Sequence, residues 1–284
     1  MSLPKGFIFS QSNLQDYVDC QRRFQLQHIL HQAWPAVEAE PYLENERLID
    51  VGSKFHKVVH QHLIGESEAQ ISRSISSDEV VQSMWGNYLH AIKQGTLEII
   101  NDPANQRYEE ITLSVPLKEF RLIAKYDLLV IRPDGRWTII DWKTSQKHPR
   151  PRWLAERLQT HVYPYVLTGA GSRLNRGEMI DPGQIEMIYW FANQPERPER
   201  FQYDQPRYQE DARSLGSLVS TIDNKSEPIY PLTPDVKRCL FCTYRSLCNR
   251  GIKPGDLEHL EEWQEPESPD EVKIDFDQIG EIEF

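Results

Sequence analysis

The 284-residue chain has no apolar run approaching the ~20 residues that a membrane-spanning helix requires. Its opening, MSLPKGFIFSQSNL, lacks the apolar stretch of a secretion signal. Both absences point to a soluble, cytoplasmic protein. Four cysteines in 284 residues are too few for a disulfide scaffold. Gly 14 and Pro 19 are ordinary counts, which excludes collagen-like and low-complexity classes. No internal repeat occurs, and no domain linker breaks the chain before residue 254.

What is there begins with charge. Residues 255–284 hold twelve Asp and Glu against one Lys, Lys273, and so carry the whole net charge of −11. The body, 1–254, is neutral. An acidic protein is a poor partner for nucleic acid, but a neutral body with an acidic tail is not excluded, because local patches decide. The tail is rich in Glu and Pro (QEPESPDE), a composition that favours disorder.

The body reads as helices, then strands, then helices. Ser12 can cap a helix over roughly 13–33, and a second runs through 47–63. The polar stretch 65–77 reads as a solvated loop, and Ser77 starts a helix to about Lys93. From Tyr108 the pattern is strand: YEEITLSVPL, RLIAKYDLLVI and RWTIIDWKT, with Glu109 and Glu110 read as a solvated strand end. Pro151 opens a helix to about Leu167, and QIEMIYWF (184–191) is a further strand. This order predicts one α/β domain over 1–254, with a central mixed sheet flanked by helices.

Two strands flank RPDGR, where Pro presets φ and Gly accepts a positive φ, as a tight turn needs. With Asp134 as the turn centre, Asp127 and Asp141 lie seven residues to either side. A symmetric hairpin sets them opposite each other, Cβ atoms ~5 Å apart. Lys143, two residues past Asp141, shares its face. Facing carboxylates in apolar strands call for a cation, and oxygen ligands suit Mg²⁺ or Mn²⁺. The plain alternative is a surface hairpin with an Asp141–Lys143 ion pair.

The run Asp127…Asp141-Trp-Lys143 resembles the core of the PD-(D/E)XK nucleases. Two further elements sit in the order of the RecB-like branch: Gly52-x-x-x-His56 upstream and Gln159-x-x-x-Tyr163 downstream. The resemblance covers most of residues 10–250 and implies a restriction-endonuclease-like domain. It also implies that His56, Asp127, Asp141 and the Trp142 backbone carbonyl bind the metal. Lys143 then positions or activates the attacking water, and Gln159 and Tyr163 support the site. Ala124 stands where the family often has Gly, and Pro164 follows Tyr163 inside its helix, where it should cause a kink. His60 and His62 share the helix of His56 and read as ordinary helix residues.

Three cysteines fall in ten residues, Cys239-x₂-Cys242-x₅-Cys248, a metal-ligand spacing that reads as zinc or iron–sulfur before disulfide. The fourth, Cys20, lies over two hundred residues upstream, and its plain reading is a buried thiol. One N-terminal cysteine plus a C-terminal triplet resembles the iron–sulfur staple of RecB-like nucleases such as the AddB subunit and the CRISPR-adaptation nucleases. That implies a [4Fe–4S] cluster on Cys20, Cys239, Cys242 and Cys248, with Zn²⁺ as the alternative occupant.

After the catalytic strand, Lys147, Arg150, Arg152 and Arg157 alternate with His148 and Trp153, a mixture suited to phosphate contact and base stacking on single strands. An ordinary exposed helix start is the plain alternative. No G-x₄-G-K-[S/T] is present, so a helicase partner would be a separate protein. The expectation is a metal-dependent deoxyribonuclease acting on single-stranded or frayed DNA ends, an exonuclease before an endonuclease, in DNA repair, recombination or defence. The rival is a non-catalytic iron–sulfur or zinc nucleic-acid-binding subunit of a helicase–nuclease assembly.

Overall fold

The computed structural model describes residues 3–33 and 40–251, with 40–46 as backbone alone. The acidic segment 255–284 lies outside the described residues. A short strand, β1 (Ile8–Ser10), runs straight into helix α1 (Gln11–Asp19). The cap is Ser10, not Ser12. Its hydroxyl accepts from the Asn13 N–H, and the Asn13 side chain accepts from the Ser10 N–H, a reciprocal capping box.

The single helix expected over 13–33 is three pieces. Cys20 is extended (φ −160°), α2 (Gln21–Phe24) follows, and a π-turn covers Gln25–Ile29. Tertiary contacts override propensity here. Arg23 turns back onto Asp16 (2.7 Å) and Asp19 (3.2 Å), and Gln25 is drawn onto the backbone of Pro228 and Tyr230.

Helix α3 (Glu40–Leu63) starts earlier than the pattern suggested, and α4 (Glu68–Ser74) occupies the stretch read as a loop. Its cap is Ser67, whose hydroxyl accepts from the Gln70 N–H. Asp78 caps α5 (Glu79–Gln94). Then come β2 (Gln106–Leu117), β3 (Phe120–Ile131) and β4 (Trp137–Lys143). The helix expected from Pro151 is split at Glu156 and Arg157 into α6 (Pro151–Ala155) and α7 (Leu158–Ala170). After β5 (Ile185–Phe191), a four-residue strand β6 (Glu199–Gln202) and α8 (Gln205–Asp223) complete the order. No helix among the described residues is long and apolar enough to cross a membrane.

The sheet is mixed and forked. β2 pairs antiparallel along one edge of β3 from Gln106↔Ile131 to Leu117↔Phe120. The other edge of β3 is shared by two strands. β1 runs parallel to Arg121–Ile123, and β4 runs antiparallel to Leu128–Ile131. β4 then pairs in parallel with β5, and β5 antiparallel with β6. The β3–β4 pairs, Leu128↔Ile140 to Ile131↔Trp137, give the register of a hairpin centred on Asp134. Gly135 takes the positive φ (82°) that the turn requires. Residue 127 therefore lies in the gap where the edge of β3 passes from β1 to β4.

Each face of the sheet carries its own core. Against α1, α7 and α8 lie Leu122, Ala124, Tyr126, Leu129, Ile139, Tyr189 and Phe191. Against α3 and α5 lie Leu128, Val130, Ile140, Trp142 and Trp190. β4 is buried along nearly its whole length, as a strand covered on both faces should be. The regular alternation of β3 breaks once. Even-numbered residues up to Tyr126 face the first core, but from Leu128 onward the even-numbered ones face the second.

Candidate active site

The fork assembles five of the expected side chains and one backbone carbonyl. Asp141, 4% exposed, sits on buried β4, and its Oδ2 lies 2.8 Å from Lys143 Nζ. Gln159, from the first turn of α7, bridges the two. Its amide donates to Asp141 Oδ1 (2.6 Å), and its carbonyl accepts from Lys143 Nζ (3.0 Å). The three side chains form a closed triangle that fixes the lysine ammonium against the carboxylate. Lys143 also stands 5.4 Å from the Tyr189 ring centroid, a cation–π distance.

Asp127 completes the site from the other arm of the fork. The β3–β4 ladder ends at Leu128↔Ile140, and the next β4 donor, the Trp142 N–H, bonds to Asp127 Oδ2 (2.9 Å). A side chain thus replaces the backbone of β3 as partner of β4. His56 reaches in from α3. Its Nδ1 is 3.5 Å from Asp127 Oδ1, and its Nε2 is 3.1 Å from the Trp142 carbonyl. Gly52 lets α3 come this close, because a Cβ there would meet Thr144 Oγ1 at 3.0 Å.

The two carboxylates titrate in opposite directions. Burial pushes Asp141 up to about 6, with the Asp127 charge adding to the shift and Lys143 opposing it. Burial also acts to raise Asp127. Yet the charge and hydrogen bond of His56, the Trp142 N–H and Lys143 outweigh it and hold Asp127 below the ordinary carboxylate range. The donors are two carboxylates, a carbonyl and an imidazole, a set suited to a hard divalent ion. Asp141 Oδ2 is buried and faces the Lys143 ammonium at 2.8 Å. Among the described residues, however, no three His, Cys, Asp or Glu side chains are grouped as metal ligands. Here the site groups bond to one another and to Lys143.

Tyr163 lies deeper in α7, buried, with its ring 5.1 Å from Tyr126. Its carbonyl accepts from the Tyr126 hydroxyl (2.9 Å), and α7 continues past Pro164 to Ala170. Lys147, Arg150 and Arg152 are exposed on the segment after β4, which fits a DNA contact and an ordinary helix start alike. Arg157 is not. It is 5% exposed at the N-cap of α7, stacked 4.8 Å from the Trp153 ring centroid. Its Nε and Nη2 have no hydrogen-bond partner among the described residues, and burial lowers it to about 10. The expected surface phosphate contact is therefore an interior residue. Trp153, four residues before it across the break between α6 and α7, supplies the ring it stacks on. His62 is partly buried and hydrogen-bonded to the Tyr88 hydroxyl (3.1 Å).

Cys20 lies within electrostatic reach of each cysteine of the C-terminal triplet, but among the described residues the four are not grouped as metal ligands. Cys20 occupies the break between α1 and α2, and successive turns bring up Cys239, Cys242 and Cys248. None forms a disulfide. Burial raises Cys239, Cys242 (to about 11) and Cys248, and Cys20 raises each of them further by its charge. Arg238 reaches Asp19 at 3.1 Å, and the Tyr244 hydroxyl donates to the Gln32 carbonyl (3.0 Å). The two chain ends are thus tied by polar contacts that need no metal.

A mixed sheet forked at a carboxylate pair, with a lysine two residues beyond the second acid, defines a nuclease-type α/β site. The sequence model of the PD-(D/E)XK nuclease superfamily matches residues 8–249, and the chain belongs to that superfamily. No curated protein matches it. Among solved structures, it is similar to a protein from Eubacterium rectale assigned as an exonuclease. The identity is 12% and the TM-score 0.46, over 78% of this chain and 84% of that one. It is also similar to the protein SSO0001, at 11% identity and TM-score 0.38, over 88% and 89% of the two chains. At these scores neither neighbour bears on function.

Proposed function

We propose that the chain is a divalent-metal-dependent deoxyribonuclease of the RecB-like branch, hydrolysing phosphodiester bonds at single-stranded or frayed DNA ends as an exonuclease. The observation that carries this reading is the Asp141–Lys143–Gln159 triangle set beside Asp127 and His56. Asp127, Asp141, His56 and the Trp142 carbonyl would hold Mg²⁺ or Mn²⁺, which supplies Lewis-acid polarisation and a more acidic water. Lys143, paired with Asp141 and oriented by Gln159, places its ammonium where it can hold a water or meet charge developing on a phosphate. Lys147, Arg150 and Arg152 supply exposed charge for the DNA backbone.

The four cysteines are the donor set for a [4Fe–4S] cluster, with Zn²⁺ as the alternative. That none of the four forms a disulfide, and that Cys20 lies within electrostatic reach of each member of the distant triplet, supports such an occupant. The same arrangement supports the rival reading, a non-catalytic nucleic-acid-binding subunit that works beside a separate helicase. The test is digestion of end-labelled single- and double-stranded DNA by purified protein, with Mg²⁺, with Mn²⁺ and with chelator. Metal-dependent loss of label from single strands supports the proposal. Binding without cleavage under all three conditions supports the rival.

A further inference from the structure

The sequence suggested that Glu110 belongs to a solvated strand end. Instead it lies inside β2 with φ +52°, a left-handed conformation unusual for a non-glycine residue and sterically disfavoured within a strand. The β2–β3 ladder is continuous on both sides, with Glu109↔Leu128 and Ile111↔Tyr126, so the position facing Glu110 is Asp127. At this same step both strands exchange faces. On β2 the first core takes Tyr108, then Ile111, Leu113, Val115 and Leu117. On β3 it takes Leu122, Ala124 and Tyr126, then Leu129. A strand that keeps its pleat puts residues i and i+3 on opposite faces, whereas here Tyr108 and Ile111, and likewise Tyr126 and Leu129, share one. The left-handed residue makes the change, and Asp127 sits at the step, where neither core claims its side chain. Its carboxylate is therefore free to lie along the fork and accept the Trp142 N–H while meeting His56.

We infer that Glu110 is a positioning residue. Its left-handed backbone turns the β2–β3 ribbon over and so delivers Asp127 to the mouth of the fork. The side chain plays a separate part, pairing with Lys125 at 2.5 Å on the neighbouring strand. This inference deepens the nuclease reading and rests on it only for the activity arm of its test.

Backbone and side chain are separated by three substitutions. E110G keeps the positive φ and loses the Lys125 pair, E110A loses the pair and disfavours the φ, and E110V disfavours it most strongly. The primary readout is amide hydrogen exchange of the Trp142 N–H, which reports the Asp127 contact without metal or DNA. The second is the split of kcat and KM on single-stranded DNA. E110V should speed Trp142 exchange at least tenfold and lower kcat at least tenfold with KM within twofold. E110A should do the same in smaller measure if E110V fails to fold, and E110G should stay within twofold of the parent protein in every readout. Equal exchange and kcat in E110A and the parent overturns the inference. So does an E110G as impaired as E110A, because the side chain would then be responsible. If no protein of the series cleaves DNA, the nuclease reading falls, and the exchange rates still decide the role of Glu110.

Discussion

Arg157 shows how much one side chain's burial changes its meaning. A buried guanidinium with two unpartnered nitrogens costs stability, and an apolar side chain of similar length is often neutral or better at such a site. Arg157→Met should therefore keep or raise the melting temperature and leave DNA affinity within about twofold. Lys147→Ala and Arg150→Ala should each weaken DNA binding and reduce the salt slope of log K by about one. A loss of affinity in Arg157→Met as large as that in Lys147→Ala would return it to the DNA surface. A second residue-scale prediction concerns His161, which bonds Asp211 at 2.7 Å and is raised by that contact against its own burial. A raised folded pKa gives stability that is fully present below the unfolded value, ~6.5, and is lost as pH rises through the folded one. His161→Ala should thus destabilise more at pH 6 than at pH 9. The difference should stay below about 1 kcal/mol, because the imidazole is 41% exposed. Equal losses of melting temperature at both pH values would contradict this.

Among the elements, the β3–β4 hairpin was the most legible, because everything that sets its register is local: Pro133, Asp134 and Gly135, with alternating apolar residues to either side. Elements governed by distant partners were not legible. The break at Cys20 depends on Gln25 meeting Pro228 and Tyr230, and the face change at Glu110 depends on cores assembled from the whole chain. β1 and β6 are too short to show a period, and α4 was hidden in a polar stretch although Ser67 caps it. The candidate site was legible as residue types at a spacing. The Gln159 bridge and the Trp142–Asp127 bond are long-range, and only the fold places them. Gly52 lies between these cases. Its spacing from His56 was visible, whereas Thr144, the atom it must avoid, was not. Gly52→Ala should lower kcat about tenfold by pushing α3 and His56 away from β4. Adding Thr144→Ala should recover much of that loss, with a coupling of about 0.5–3 kcal/mol. Additive losses in the double variant would disconnect the two positions.

At the scale of the whole molecule, the N-terminal helices and the segment 228–248 close on each other through Arg238–Asp19, Gln25 and Tyr244, with Cys20 and the cysteine triplet beside these contacts. If the four thiols hold a cluster, the protein purified without oxygen should be brown, with about four iron atoms per chain. Cys20→Ser should lose the colour and become protease-sensitive, because a cross-link between distant parts of the chain has been removed. Colourless protein with one zinc per chain would assign the site to the alternative metal.

The central claim is that Lys143, locked between Asp141 and Gln159, serves cleavage and not folding. The most direct test is single-turnover digestion of labelled single-stranded DNA by the parent protein and by Lys143→Ala, with melting temperatures measured alongside. Lys143→Ala should melt within a few degrees of the parent and cleave about 10²–10⁴-fold more slowly. A Lys143→Ala protein that cleaves at the parent rate would contradict the claim.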